Sequence, residues 1–206
     1  MTPDLRLCEG PGTATRDGAT PMAIDWTTWI HAIITTYGSW LPGDPRGFRD
    51  HDHRIHSSGN YKAPPPTDEH AGLYRFAEAS TKTAVFLAHD VRDRVATALA
   101  EKLQSQHVKV RCIAVAGTHA HILACVGSQD AKPIIGRAKQ AASHRVRDRL
   151  PGTVWAQGCH VVRVRDEAHY RSVVNYIARH AEDGACVWNH PDLRKASGPA
   201  SSNSTY

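Results

Sequence analysis

At 206 residues, 41% hydrophobic and 22% charged, the chain has the composition of a folded globular protein and enough length for one sizeable core. Its formal net charge of +5, with 14 histidines and a pI of about 9.1, favours a polyanionic partner, nucleic acid before a membrane surface. No segment approaches the ~20 apolar residues of a membrane span, and the N-terminus lacks a signal-peptide layout, so a cytoplasmic protein without membrane contact is expected.

Residues 1–24 mix Gly, Pro, Thr and charges without periodicity and are expected to form a flexible arm. From Trp26 to Tyr37, β-branched and aromatic residues crowd together and predict the first strand. Residues 38–80 are rich in turn formers and predict a long loop, a feature that is often functional. The loop carries His51, His53 and His56, a second cluster with metal-binding chemistry that reads as solvated or DNA-facing. A helix is predicted from His89 to Gln106, where Val91, Val95, Ala98, Leu99 and Leu103 recur at helical spacing.

Two strands follow, near 108–116 and 119–126, with Gly117 at the turn between them. Residues two apart on a strand share a face, so His119 and His121 project side by side and are able to chelate one divalent cation. The plainer alternative is a pair of half-buried strand histidines bonded to backbone carbonyls. Cys112 and Cys125 fall in these strands as small hydrophobes, and no Cys-x-x-Cys pair exists, which argues against a disulfide framework or a thiolate zinc site.

A second helix is predicted over 131–150, with Pro133 in its first turn. Between Ser128 and Arg149 lie six Lys/Arg against two Asp, either a solvated face or a surface that tracks phosphates. Residues 154–165 predict a further strand and 166–182 a third helix, with a disordered tail over 191–206. One folded domain over 25–190 results. The order predicts an α+β fold, a ferredoxin-like βαββαβ antiparallel sheet with helices on one face, followed by a C-terminal helix.

In that last helix Tyr170, Val173, Val174, Ile177 and Ala181 form one apolar stripe, which makes Tyr170 a core residue. Tyr176 lies off the stripe, about 100° around the helix. It shares a side with His180, four residues on. A hydroxyl and an imidazole at the sheet-facing edge of a helix can meet a histidine pair on a central strand.

The strand-borne His119-Ala120-His121, Trp155 followed by Val161-Val162, and the late Tyr176-Ile177-Ala178-Arg179-His180 resemble the single-tyrosine HUH transposases. These are the small insertion-sequence transposases, including the REP-associated tyrosine transposases. Residues 36–47, Thr-Tyr-Gly-Ser-Trp-Leu-Pro-Gly-Asp-Pro-Arg-Gly, look like one branch of that family. The resemblance implies a transposase that cleaves and rejoins single-stranded or hairpin DNA, with Tyr176 as nucleophile and a 5′-phosphotyrosine intermediate. It further implies a metal site of His119, His121 and His180 holding Mg²⁺ or Mn²⁺, with basic side chains such as Lys139, Arg145, Arg163 and Arg165 on DNA phosphates. Trp40 is a candidate base-stacking residue, and Trp155 is better read as core. The family commonly has Gln or Asn four residues after the tyrosine, where this chain has His180; imidazole is a competent ligand that shifts preference towards Mn²⁺ or softer ions. Two other readings stay open, a non-catalytic DNA-binding relative and a metal-dependent hydrolase with Tyr176 incidental. Both a monomer and a homodimer fit the resemblance.

Overall fold

A computed structural model describes residues 24–48, 56–58, 63, 65–81 and 83–191. Strand β1 (Trp29–Thr35) follows a short 3-10 turn, Trp26–Thr28, whose entry is capped by Asp25 accepting from the Thr27 amide at 3.0 Å. Helices α1 (Ala71–Ser80) and α2 (His89–Ser105) lead to the hairpin of β2 (Lys109–Val115) and β3 (His119–Cys125). Then come α3 (Ala131–Arg145), β4 (His160–Arg163), α4 (Glu167–Arg179) and β5 (Cys186–Asn189). The sheet is antiparallel throughout, in the order β4-β1-β3-β2-β5, so the ferredoxin-like arrangement holds with a fifth strand added beyond β2.

Strand alternation divides the core in two. Ile30, Ala32 and Ile34 of β1, with Ala120, Ile122 and Ala124 of β3, face α2 and α3. Those helices close the layer with Val91, Val95, Leu99, Leu103, Ile134, Ile135 and Ala138. Trp29, Cys112, Ala114, Leu123 and Cys125 point the other way, against Tyr170, Val173 and Ile177 of α4. Burying a Leu- or Ile-sized side chain contributes roughly 1.5–3 kcal/mol. The apolar stripe of α4 therefore fixes how the helix is turned, and with it which residues overhang the sheet. Caps set where the helices begin: Asp130 accepts from the Lys132 amide at 3.1 Å, and Asp166 from the His169 amide at 2.7 Å.

The structure departs from expectation at several points. Part of the long loop expected over 38–80 is helical, since α1 occupies its last ten residues without burying any of them. The third helix stops at Arg179 instead of continuing to Glu182; a turn with Gly184 at φ +76° then feeds β5 into the region expected to precede the tail. Arg92, only 9% exposed, holds that turn by donating to the Gly184 carbonyl at 2.6 Å and to the Leu87 carbonyl at 2.9 Å. The strand expected over 154–165 is two pieces, a bridge between Thr36 and Trp155 and then β4, separated by a turn with Gly158 at φ +72°. Residues 1–23 and 192–206, and with them nearly all of the expected arm and tail, lie outside the described residues, as do His51 and His53. His56 is exposed, its Nδ1 3.1 Å from the Ser57 carbonyl. Among the described residues no helix is long and apolar enough to cross a membrane.

Candidate active site

His119 and His121 occupy alternate positions of β3, on the sheet face covered by α4. β3 is second from neither edge but central, paired on both sides by β1 and β2, so its side chains are held at a rigid register. Tyr176 and His180, one turn apart at the C-terminal end of α4, overhang this pair. Ring centroids of His121 and His180 are 4.5 Å apart, and those of His119 and His180 5.7 Å. The Tyr176 ring lies 5.1 Å from His121 and 4.7 Å from His180, nearly perpendicular to both. It is 41% exposed and lines an open cleft of about 300 Å³ together with His119, His121, Thr118, Trp40 and Arg46. The phenol thus sits beside the imidazole pair and opens to solvent.

Hydrogen bonds set the imidazole tautomers. His180 Nδ1 lies 2.9 Å from the backbone carbonyl of Tyr176, which only accepts, so Nδ1 carries a proton and Nε2 is the ring nitrogen left to face an ion. His121 Nδ1 lies 3.0 Å from Nε2 of His31, a β1 residue. If His121 donates there, its Nε2 is also a free donor to a cation, and His31 holds its own proton on Nδ1. His31 pairs with Leu123 and His121 with Ile33, so the two histidines are diagonal neighbours across the strands, within reach of long side chains. One ligand atom each from His119, His121 and His180 lies within 4.8 Å of the others, so the three could share one ion if the rings draw together.

The surroundings keep His31, His119 and His121 neutral. Burial, reinforced by the neighbouring His180, His119 and His31, pushes His121 down to about 3. Burial, then His160, His169 and His180, pushes His31 down to about 4. His119 is lowered for the same first reason, with His180 adding to it. Neutral imidazoles present lone pairs, the state a metal requires. By contrast, Tyr170 packs against Trp26 and Trp29 and burial pushes its hydroxyl up to about 12, which leaves it a core residue.

The basic residues expected on DNA are dispersed. Lys139 and Arg145 stand on α3, across the sheet from the histidines; Lys139 donates to the Ala156 and Gly158 carbonyls at 2.6 and 2.5 Å, and Arg145 pairs with Glu101 at 2.6 Å. Arg163 donates to the carbonyls of Thr27 and Gly127 at 2.9 and 3.3 Å, while Arg165 is exposed just ahead of α4. None of the four is brought to the histidine cluster. His31 was missed, because its only mark in the sequence is a polar residue inside an apolar strand. Its partner becomes visible only once the register of β1 against β3 is known. Trp155 is 6% exposed and belongs to the core.

The chain is similar to known proteins. The family model for IS200-like transposases matches residues 74–180, from α1 to the last histidine of the cluster. Among solved structures, a REP-associated tyrosine transposase bound to a REP hairpin is similar at 11% identity and a TM-score of 0.42, covering 76% of this chain and 68% of that one. No curated protein matches the chain. The family match takes in β3 with its histidine pair and α4 with Tyr176, and extends over half of the sequence: this chain belongs to the IS200-like transposases, and it acts on DNA.

Proposed function

We propose that the protein is a metal-dependent strand transferase that cleaves and rejoins single-stranded or hairpin DNA with Tyr176 as nucleophile. The observation that carries this reading is the meeting of a solvent-open phenol with three imidazoles that each bring one ring nitrogen within 4.8 Å of the others. His119, His121 and His180 would hold the divalent ion, Mg²⁺ or Mn²⁺. Bound there, such an ion supplies charge that polarises a phosphate and offsets the negative charge developing on the leaving oxygen.

The chain's own residues supply the remainder. A protonated phenol is a weak nucleophile, so placement must do much of the work. The apolar stripe of α4 holds Tyr176 over the histidines while leaving its hydroxyl side open to the cleft. The tyrosine oxygen forms a bond to phosphorus as the bond from phosphorus to the 3′ oxygen breaks. The phenolic proton leaves to solvent and the departing oxygen takes one up as a 3′-OH. The 5′-phosphotyrosine retains the phosphodiester energy, so joining to another strand needs no nucleotide cofactor. A fixed side chain reaches the backbone more readily in an unpaired strand than in a duplex, which favours single-stranded or looped substrates.

The test is a denaturing gel after incubation with end-labelled hairpin DNA and Mn²⁺. A protein–DNA adduct is expected, lost in Tyr176→Phe and in His119→Ala, with DNA binding retained in the former. Cleavage that survives Tyr176→Phe without an adduct would establish hydrolysis in place of strand transfer.

A further inference from the structure

The mouth of the cleft is formed by a loop that the strand-transfer reading leaves unused. Trp40 is 47% exposed there, although an indole is a large apolar surface to leave in water. It is fixed in place: its Nε1 donates to the Gly47 carbonyl at 2.9 Å, and the Arg46 guanidinium lies 4.3 Å from its ring centroid. Arg46 is fixed in turn, donating from Nε and Nη2 to Asp44 at 2.8 and 2.5 Å and from Nη2 to the Ser39 carbonyl at 2.8 Å. Asp44 is 3% exposed. The turn behind it needs Gly43, at φ +81°, where a Cβ would come within 2.6 Å of the Tyr74 amide nitrogen.

This rim has two unspent binding elements. Among the described residues, the exposed part of the indole has no partner ring and Arg46 Nη1 has no acceptor for its two hydrogens. Both residues line the same cleft as His119, His121 and Tyr176. We propose that Trp40 and Arg46 form a nucleotide subsite beside the nucleophile. One base of an unpaired DNA strand stacks on the indole, and Arg46 Nη1 donates to a phosphate oxygen of that strand.

The subsite deepens the strand-transferase reading and rests on it for the nature of the ligand. A base inside a duplex already has both faces covered, so an indole held ready at the cleft selects a strand that is out of its stack. Because Asp44 already pairs with Arg46, the subsite adds little net charge, and its contribution comes from stacking and directed donors. Such a contribution releases few counterions and is nearly independent of salt, unlike phosphate contacts made by free lysines and arginines.

The experiment measures binding in the Tyr176→Phe background, which removes covalent chemistry, using a fluorescein-labelled 16-nucleotide single strand and the same strand with one abasic site moved along it. Trp40→Ala should weaken binding about tenfold, with an unchanged slope of affinity against salt. Trp40→Phe, which keeps a stacking ring, should recover most of that loss. In the Trp40-containing protein one abasic position should be costly, and in Trp40→Ala that same position should cost nothing further. DNA should quench tryptophan fluorescence in the parent and much less in Trp40→Phe, a signal that does not depend on Trp40→Ala folding. Unchanged affinity in Trp40→Ala, equal sensitivity to every abasic position in both proteins, or quenching that persists in Trp40→Phe would overturn the subsite. Because none of these readouts involves an adduct, loss of the strand-transferase reading would appear separately, as wild-type protein that forms none.

Discussion

Replacing His31 with Leu tests whether the proposed metal site depends on a residue outside its three proposed ligands. The His31–His121 bond is 3.0 Å long and joins residues 9% and 3% exposed. In the tautomer that leaves His121 Nε2 for an ion, Nδ1 donates to His31, and removing that acceptor strands the Nδ1 hydrogen in the interior, at a cost of about 1–3 kcal/mol. His121 can escape that cost by moving its proton to Nε2, the nitrogen that should face the ion. Either route weakens metal binding, and removing such an outer partner typically lowers affinity roughly 10–100-fold. Titration with Mn²⁺, followed by the electron paramagnetic resonance signal of the free ion, should show that weakening. Adduct formation should return at raised Mn²⁺, because Tyr176 and the three ligands remain. His31→Gln, with a side-chain oxygen able to accept, should fall between the two. Folded His31→Leu protein with unaltered Mn²⁺ affinity would refute the reasoning.

Other outcomes follow from the packing and the charges. Tyr176→Phe should eliminate the adduct while changing stability by less than about 0.5 kcal/mol, since it removes only a hydroxyl from a side chain that is 41% exposed; urea unfolding measures it. Ile177→Ala, at a fully buried position beside Tyr176, should cost about 2–5 kcal/mol of stability and slow adduct formation by loosening α4. Burial raises the Asp44 carboxyl, but hydrogen bonds and charge from Arg46 outweigh it and hold the group below its ordinary value. Its contribution to stability is therefore complete above the unfolded carboxyl's pKa and fades as pH falls through the folded one. Asp44→Asn should lose that acid-limb dependence in melting curves recorded between pH 6 and pH 2, and should disturb Trp40 fluorescence.

The parts of this architecture legible in the sequence are those set by local periodicity. Alternation on β3 put His119 and His121 on one face, and a four-residue step on α4 put Tyr176 with His180, because each inference needs only one element's geometry. The dense apolar spacing of α2 located that helix closely. What escaped depends on contacts between elements. Cys186–Asn189 is a strand because β2 offers an open edge to pair with, and four residues carry too little pattern of their own. Helix α1 has no side-chain cap at its start and buries nothing, so neither of the usual signals marks it. The tie from His31 to His121 depends on how β1 is registered against β3, as the position of Lys139 depends on which sheet face α3 covers.

The Tyr176 oxygen is expected to become the covalent partner of DNA. Mass spectrometry of the trypsin-digested adduct tests it, since residues 172–179 form one tryptic peptide and Tyr170 falls in the one before. The account predicts a 5′-linked nucleotide on Tyr176 in that peptide. A nucleotide on Tyr170 or Tyr37, or cleaved DNA with an unmodified 172–179 peptide and no adduct, would contradict it.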